Sequence, residues 1–251
     1  MNLFDLSGRR ALVTGGAAGL GLAMGEALHE QGASVALLDI APQVAVVAEG
    51  LSTDLAPVHG IRANLADPAD LARGFADAVG RLAGLDILVN NAGITRRGPT
   101  EEYRLDDWQA VIDLNVTAAL LLCQAAARLM LPQGWGRIIN IASLYSFVGT
   151  ANQIGYAASK GAIRQMTLAM ATEWSGRGIN VNAIAPGLIA TALNAEMRAD
   201  PDWHRRAMDR LPIGRFGTPD DLKGAVVFLA SAAADYVTGV VLPVDGGFLA
   251  R

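Results

Sequence analysis

Tyr156 and Lys160 are the residues of this 251-residue chain whose types and spacing point most directly to chemistry. In a helix, side chains four positions apart lie on one face, one turn above each other. An ammonium beside a phenol favours the phenolate, so we expect the pKa of Tyr156 to fall from about 10 toward neutral pH and make it a general acid. Ser143, upstream of the pair, would hold a carbonyl oxygen of the substrate against it. For the pair taken alone, an ordinary helical contact is the alternative.

The elements that must position this pair form a regular alternation of short apolar runs and longer helical patterns. The runs are apolar on both faces, as is typical of a parallel sheet covered on each side. The alternation predicts right-handed βαβ units and a doubly wound α/β sheet with helices on both faces. The predicted strands are Arg10–Thr14, Ser34–Asp39, Val58–Ala63, Ile87–Asn90, Arg137–Ala142, Asn180–Ala185 and Val240–Val244. The predicted helices are Leu20–Gln31, Pro42–Leu51, Ala69–Leu82, Leu105–Met130, Gly155–Ser175 and Pro219–Ser231.

A glycine-rich segment, Thr14–Gly21, follows the first predicted strand and opens the first predicted helix. Glycines there allow a tight turn, and the free N–H groups of the helix N-terminus can bind a pyrophosphate. Asp39 ends the second strand, where a carboxylate accepts hydrogen bonds from a ribose and repels a 2′-phosphate. Because no Arg or Lys lies in the glycine segment or just after Asp39, we expect NAD rather than NADP. A structural turn and a helix cap are the alternatives for these two features.

Small residues also follow the fourth predicted strand, in Asn90-Asn91-Ala92-Gly93. In this topology the fourth strand borders the cofactor crevice, and small residues there let an adenosine pass close to the backbone. A turn without a ligand is the alternative.

The segment 188–212 carries most of a cluster of charged residues and follows Pro186-Gly187 after the sixth predicted strand. A long segment at the carboxyl edge of such a sheet is where a substrate lid would lie. A solvated helical hairpin is the alternative.

The overall composition predicts a soluble protein that forms one domain over residues 1–251. Hydrophobic residues make up 52% and charged residues 18%, and with a net charge of −4 no block of Lys and Arg indicates a nucleic-acid or membrane surface. Cys123, the single cysteine, lies in an apolar run and is expected to be a buried thiol; His29, His59 and His204 lack metal-ligand spacing, so we expect no metal site. Neither a signal-peptide core nor a membrane span is recognisable, and we expect a cytoplasmic protein.

Taken together, the motifs resemble those of the short-chain dehydrogenase/reductase superfamily. The matching positions cover essentially the whole chain: Thr14–Gly21, Asn90–Gly93, Asn115, Ser143, Tyr156, Lys160, Pro186-Gly187 and Val244–Gly247. The resemblance implies a single Rossmann-like domain with a seven-stranded parallel sheet. It also implies an NAD-dependent oxidoreductase that acts on a CH–OH group and assembles as a homotetramer.

The resemblance further implies a catalytic tetrad of Asn115, Ser143, Tyr156 and Lys160. In this family the tyrosine exchanges a proton with the substrate oxygen while the nicotinamide exchanges a hydride with the adjacent carbon. Lys160 would lower the pKa of the tyrosine and bind the nicotinamide ribose, and Ser143 would hold the carbonyl oxygen. Asn115 would anchor a water that relays protons; a satisfied core amide is its alternative.

The family also implies which residues contact the cofactor. Relatives often have Asp at the position of Asn64, where Asn can still accept and donate hydrogen bonds to adenine. The implied contacts are Gly15, Ala18, Gly19, Leu20, Gly21, Asp39, Asn64, Leu65, Asn91, Ala92, Gly93, Tyr156, Lys160, Pro186, Gly187, Ile189 and Thr191.

Within the superfamily the chain is similar to the sugar-acid dehydrogenases of gluconate, 2-deoxy-gluconate and 2-dehydro-3-deoxy-gluconate. The similarity lies in Asn91–Arg97, Ile138–Phe147 and the tail Val244–Arg251. Ser143 and Tyr156 would meet the reacting end of such a substrate.

The carboxylate of a sugar acid calls for a cation, and arginine can bind it through two hydrogen bonds. Arg97 and Arg198 are the primary candidates, and Arg205 and Arg206 are further ones in the segment 188–212. A solvated surface position is the alternative for each.

Two other functions remain open at this point. The same class of enzyme would also act on an acyl thioester, a neutral polyol, a sugar or a steroid, although acyl-carrier-protein reduction normally favours NADPH and Asp39 argues against that cofactor. A non-catalytic dinucleotide-binding protein would keep the fold, but the complete tetrad argues against it.

Overall fold

The computed structural model describes residues 2–53, 56–191 and 195–250, except for the side chains at positions 196 and 197. Seven strands form one parallel sheet in the order β3-β2-β1-β4-β5-β6-β7. The chain order reverses between β1 and β4, and ligands bind at such a switch point, outside the carboxyl ends of the strands. The strands are β1 (Arg10–Thr14), β2 (Ser34–Asp39), β3 (Val58–Arg62), β4 (Ile87–Asn90), β5 (Gly136–Ile141), β6 (Ile179–Pro186) and β7 (Val241–Val244).

Helices cover both faces of the sheet. On one face lie α1 (Gly19–Glu30), α2 (Val44–Leu51) and α9 (Lys223–Ala230). On the other lie α3 (Pro68–Leu82), α5 (Ala118–Gln133) and α6 (Ile154–Trp174). The remaining helices are α4 (Leu105–Ile112), α7 (Ala195–Ala199) and α8 (Pro201–Met208). The structure therefore confirms the predicted single-domain, doubly wound, Rossmann-like fold.

The strands are apolar on both faces because each face has its own core. In β1, Ala11 and Val13 belong to the core beneath α1, whereas Leu12 belongs to the opposite core beneath α3 and α5. The bounds of β1, β2 and β4 agree with the prediction. Each bound of the other four strands either agrees with the prediction or differs from it by one residue. Continuous burial is thus what makes these runs recognisable in the sequence.

The prediction of one uninterrupted α-helix over Leu105–Met130 is wrong. The structure has α4, then a π-helical turn over Asp113–Thr117, then α5. Asn115 is the buried residue of that turn, and π-helical turns are frequent at functional sites. The hydrophobic pattern does not reveal the turn because the apolar face continues through it.

The continuous helical stretch Leu105–Gln133 is long and apolar enough to cross a membrane, a feature that the sequence analysis did not anticipate. These criteria concern length and composition only, and 44% of its most apolar window is buried within the chain. Its α5 portion packs on β4 and β5, as a core helix does. Cys123, in α5, is a buried free thiol as predicted, and burial raises its pKa to about 12.

Candidate active site

A cavity of about 740 Å³ opens at the carboxyl edge of the sheet. Its lining includes Ser143 and Tyr156, Pro186 and Gly187 at the end of β6, and Trp203 and Arg206 from α8. The volume is in the range of small-molecule sites. The predicted chemistry-bearing residues from β5, α6 and β6 therefore meet at one edge.

Ser143 follows β5 and is held in one orientation by a short turn. Its Oγ accepts a hydrogen bond from Tyr145 N–H at 3.2 Å, and its own N–H donates to Ser146 Oγ at 3.3 Å. This reciprocal capping fixes the serine at the start of the 3₁₀ turn Leu144–Ser146. The hydroxyl is therefore positioned before any substrate arrives.

Tyr156 lies in the first turn of α6 and faces the cavity. The ring of Tyr145 packs edge-on against it, with 6.3 Å between the ring centres. Loss of water around the phenol is the largest effect on Tyr156 and raises its pKa, whereas hydrogen bonding by Ser143 lowers it. The predicted fall in the pKa of Tyr156 is therefore wrong for the chain by itself.

The position of Lys160 explains this difference. Its Nζ donates a hydrogen bond to the Ile141 carbonyl at 2.6 Å and lies 5.6 Å from the centre of the Tyr156 ring. Burial lowers the pKa of Lys160 to about 8. The ammonium is thus directed at the end of β5 rather than at the phenol oxygen, and it is Ser143 that favours the phenolate.

Asn115 links three elements through its side-chain amide. Oδ1 accepts from Ile94 N–H at 2.8 Å, and Nδ2 donates to the Ile94 carbonyl at 2.9 Å and to Ser159 Oγ at 3.0 Å. Hydrogen bonds of this amide therefore connect the π-helical turn with the segment after β4 and with α6. This arrangement is the satisfied core amide that the sequence left open as an alternative.

The glycine segment has the shape that a dinucleotide requires. Gly15 adopts a positive φ of 64°, and a Cβ on Gly21 would lie 2.0 Å from the Gly15 carbonyl oxygen. Gly19, also at positive φ, begins α1, and Ala18 provides no side-chain cap, so the first N–H groups of the helix stay available. These features fit a pyrophosphate at the N-terminus of α1.

Asn91 and Ala92 attach the end of β4 to this segment. Both of their N–H groups donate to Thr14 Oγ1 at 3.0 Å, and Asn91 Nδ2 donates to the Thr14 and Gly15 carbonyls. Gly93 follows with its Cα close to Asn115, since a Cβ there would lie 3.1 Å from Asn115 Oδ1. The predicted crevice lining is in place.

Asp39 lies at the carboxyl end of β2, directly against the glycine segment. Oδ2 accepts from Ala17 N–H at 3.0 Å and Oδ1 accepts from Ala41 N–H at 2.9 Å. Each oxygen keeps further acceptor capacity, so the carboxylate can still accept from ribose hydroxyls. The position fits the predicted adenosine site.

Asn64 and Leu65 follow β3 at the same edge. The Asn64 N–H donates to Asp70 Oδ2 at 2.6 Å, and its Oδ1 accepts from Ala66 N–H at 3.1 Å. Leu65 is buried beneath. The Asn64 side chain thus shapes the turn, which leaves its Nδ2 as the group that would meet an adenine.

The segment after β6 lines the cavity with Pro186, Gly187, Ile189 and Thr191. Gly187 is required here because a Cβ would lie 2.5 Å from Asp245 Cα. Ile189 pairs with Gly217 in an isolated parallel bridge. Backbone contacts therefore hold these four implied cofactor contacts against the rest of the sheet edge.

The predicted lid, 188–212, contains α7 and α8, which form a helical hairpin whose second helix faces the cavity. Positions 192–194 of this segment lie outside the described residues, and so do Met1 and Arg251 at the ends of the predicted domain. Arg206 lines the cavity, together with Arg97 from the segment after β4. Arg198 instead donates to the Thr191 carbonyl at 3.3 Å, and Arg205 pairs with Asp202 at the surface. Two of the four candidate arginines, Arg97 and Arg206, thus reach the cavity wall.

Sequence reasoning missed other lining residues, notably Gln153, Asn152 and Trp203. Trp203 stacks on Phe216, with 5.9 Å between ring centres. An aromatic residue inside a charged segment was the one signal that could have indicated it. Among the described residues, the wall of the cavity carries two arginines and no Asp or Glu.

Comparisons with known proteins agree with this geometry. The family model described as enoyl-(acyl carrier protein) reductase matches residues 15–249. The 2-dehydro-3-deoxy-D-gluconate 5-dehydrogenase of Dickeya dadantii is 41% identical over 252 residues, covering 100% of this chain and 99% of the relative. The gluconate 5-dehydrogenase of Gluconobacter oxydans is 40% identical over 253 residues, covering 98% and 96%. A crystal structure of a gluconate 5-dehydrogenase from Burkholderia cenocepacia in complex with NADP and tartrate has a TM-score of 0.93 and 39% identity, covering 100% of this chain and 98% of that one.

The fold and the cavity define an oxidoreductase built on a dinucleotide-binding sheet. The chain belongs to the short-chain dehydrogenase/reductase superfamily, whose match extends over its full length.

Proposed function

We propose that this chain oxidises a secondary alcohol of a sugar acid, of the gluconate or deoxy-gluconate type, and reduces the corresponding ketone. The observation that carries the proposal is the cavity wall, which joins Ser143 and Tyr156 to Arg97 and Arg206 and holds no acidic side chain among its described residues. An anionic, hydroxyl-rich substrate complements such a wall, whereas a neutral polyol has no charge to pair with the two cations. The gluconate-type activities of the relatives support the same substrate class.

In this proposal Tyr156 takes the hydroxyl proton during oxidation and returns it during reduction. Ser143 donates a hydrogen bond to the substrate oxygen, where negative charge develops in the transition state. The nicotinamide, when bound, supplies or accepts the hydride. Lys160 holds the nicotinamide ribose. Both amide hydrogens of Asn115 are donated within the chain, where they keep α6 in register with the segment after β4, so Asn115 would anchor the proton-relay water only through an acceptor oxygen.

We propose three groups of cofactor contacts around the crevice. The glycine segment (Gly15, Ala18, Gly19, Leu20 and Gly21) would hold the pyrophosphate. Asp39, Asn64 and Leu65 would hold the adenosine. The remaining proposed contacts are Asn91, Ala92, Gly93, Tyr156, Lys160, Pro186, Gly187, Ile189 and Thr191.

Replacing Arg206 by Ala is expected to raise KM for the sugar acid by about 10–100-fold, because a hydrogen-bonded charge pair is lost. Arg205→Ala is the matched control: it removes the same charge from α8, but Arg205 pairs with Asp202 away from the cavity. The measurement is NAD reduction over gluconate, deoxy-gluconates and the matching neutral alditols, with Arg97→Ala and Arg198→Ala in parallel. If KM for the acids stayed unchanged in all of the arginine variants, or the alditols were the better substrates, the sugar-acid proposal would fail.

We further propose that NAD is the preferred cofactor, since the Asp39 carboxylate faces the adenosine position and repels a 2′-phosphate. Asp39→Ala should strengthen NADPH binding by about tenfold relative to NADH, which corresponds to the removal of one like-charge contact. Fluorescence titration of both reduced cofactors measures the ratio. An unchanged ratio would show that another group selects the cofactor.

We also propose that the enzyme is a cytoplasmic homotetramer paired through the helices α4–α5 and α6. Leu120, Leu129 and Ile154 lie on these helices and are more than one-third exposed in the single chain. Burying them between copies would remove apolar surface from water. Sedimentation velocity showing only monomer, or fractionation that finds the enzyme outside the cytoplasm, would contradict this assembly and location respectively.

A further inference from the structure

Arg62 is a cation that the fold brings beside Asp39, although the two residues are far apart in the sequence. They are direct partners in the parallel pairing of β2 with β3. Both lie at the carboxyl ends of their strands, at the edge where the glycine segment crosses. The register of β2 with β3, which cannot be deduced from the sequence, therefore places a guanidinium next to the proposed adenosine site.

The side chains of Asp39 and Arg62 also leave the sheet on the same face. Successive side chains in a strand point to opposite faces. Leu37 packs in the core beneath α1 and α2, so Asp39, two residues later, points to that face. Ile61 packs in the opposite core, so Arg62, its neighbour, points to the face of Asp39. The two side chains are thus lateral neighbours on the side that carries the glycine segment.

The guanidinium is held close to β2 by a backbone carbonyl, and its charge also acts on the Asp70 carboxylate, whose pKa it helps to lower. Arg62 Nε donates to the Ile40 carbonyl at 3.1 Å, and Ile40 is the residue directly after Asp39. Asp39 accepts from two backbone N–H groups instead of from Arg62. The Arg62 side chain is exposed, and within residues 2–53, 56–191 and 195–250 its two terminal amino groups donate no hydrogen bond.

We infer that Arg62 binds the 2′-phosphate of NADP, so that the site also accepts NADP although Asp39 favours NAD. The inference rests on the proposed function, because it requires a dinucleotide whose adenosine ribose lies at Asp39. A phosphate ester is a dianion, and the planar fork of arginine matches its oxygens with two parallel hydrogen bonds. Attraction by a neighbouring cation opposes the repulsion of the same phosphate by Asp39.

The neighbouring residue at this edge strengthens the same effect. Asn64 is neutral, and Asp39 is the acidic residue of β2 and β3. Asp70 accepts from Asn64 N–H and from Arg73, which neutralises it locally. The chain therefore keeps the NAD-selecting carboxylate and adds the NADP-binding cation from a different strand.

The test compares NADH and NADPH binding by fluorescence titration in the unmodified protein and in Arg62→Ala, Arg62→Lys and Arg81→Ala. Arg81 is the matched control, since it is an exposed arginine paired with Asp77 near the far end of α3. Arg62→Ala should weaken NADPH binding by about tenfold or more and NADH binding by less than about twofold. Arg62→Lys should retain part of the NADPH affinity, and Arg81→Ala should change neither.

The outcomes separate this inference from the proposed function. Equal losses of NADH and NADPH affinity in Arg62→Ala would mean that Arg62 only supports the backbone at Ile40. No loss of affinity for either cofactor would mean that Arg62 does not contact the phosphate. Both results overturn the inference. Raising the salt concentration should close the gap in NADPH affinity between the unmodified protein and Arg62→Ala, because an exposed ion pair is screened. Failure of the unmodified protein to bind either cofactor would overturn the proposed function itself.

Discussion

Replacing Tyr156 by Phe is expected to lower kcat for sugar-acid oxidation by about 10²–10⁴-fold, the usual contribution of a positioned proton-transfer group. The phenyl ring of the variant keeps the packing against Tyr145 and the shape of the cavity. What is lost is the phenol oxygen of Tyr156, the one that Ser143 hydrogen-bonds; Tyr145 supplies a second phenol to the same cavity wall. Binding of NADH should be nearly unchanged, because most of the proposed dinucleotide contacts, such as the glycine segment and Asp39, are left in place.

Tyr145→Phe is the matched control for this variant. It removes a phenol oxygen from the same cavity and the same aromatic pair but leaves Tyr156 in place. Steady-state oxidation rates and NADH titrations on both variants decide the assignment. Comparable rates for Tyr156→Phe and the unmodified enzyme, or equal losses in the two Phe variants, would remove Tyr156 from its proposed role.

The fold and the edge that carries the site were predictable from the sequence for a simple physical reason. The carboxyl ends of parallel strands lie at one edge, so groups that follow different strands converge there. Gly15, Asp39, Asn91, Ser143 and Pro186 each end or follow a recognisable apolar strand. Recognising the strands was therefore enough to bring these residues together.

Other parts of the site depend on features that one-dimensional patterns do not carry. The neighbourhood of Asp39 and Arg62 follows from the register of β2 with β3. The orientation of α8 about its axis directs Arg206, and not Arg205, to the cavity. Because charged residues lie on several sides of this helix, its sequence does not show which side faces the cavity. The direction of the Lys160 ammonium, toward the Ile141 carbonyl, is a choice of rotamer.

Ser143→Ala is expected to lower kcat by about 10²–10³-fold, as is found when a single hydrogen-bond donor to a developing oxyanion is removed. The structure adds a second effect. Hydrogen bonding by Ser143 is what lowers the pKa of Tyr156, against the loss of water that raises it. Without the hydroxyl the pKa of Tyr156 rises further, so at a given pH less phenolate is present to take the substrate proton.

The direction of the resulting pH effect follows from the role of Tyr156 as base in oxidation. The rate of oxidation increases as pH rises through the pKa of Tyr156, so the rising limb of kcat/KM against pH should move to higher pH in Ser143→Ala. Ser143→Thr, which keeps a hydroxyl, should restore part of the rate and shift the limb back. A rising limb at the same pH in Ser143→Ala and the unmodified enzyme would show that Ser143 does not control the ionisation of Tyr156. A fall in kcat with such an unchanged limb would confine the serine to holding the substrate oxygen.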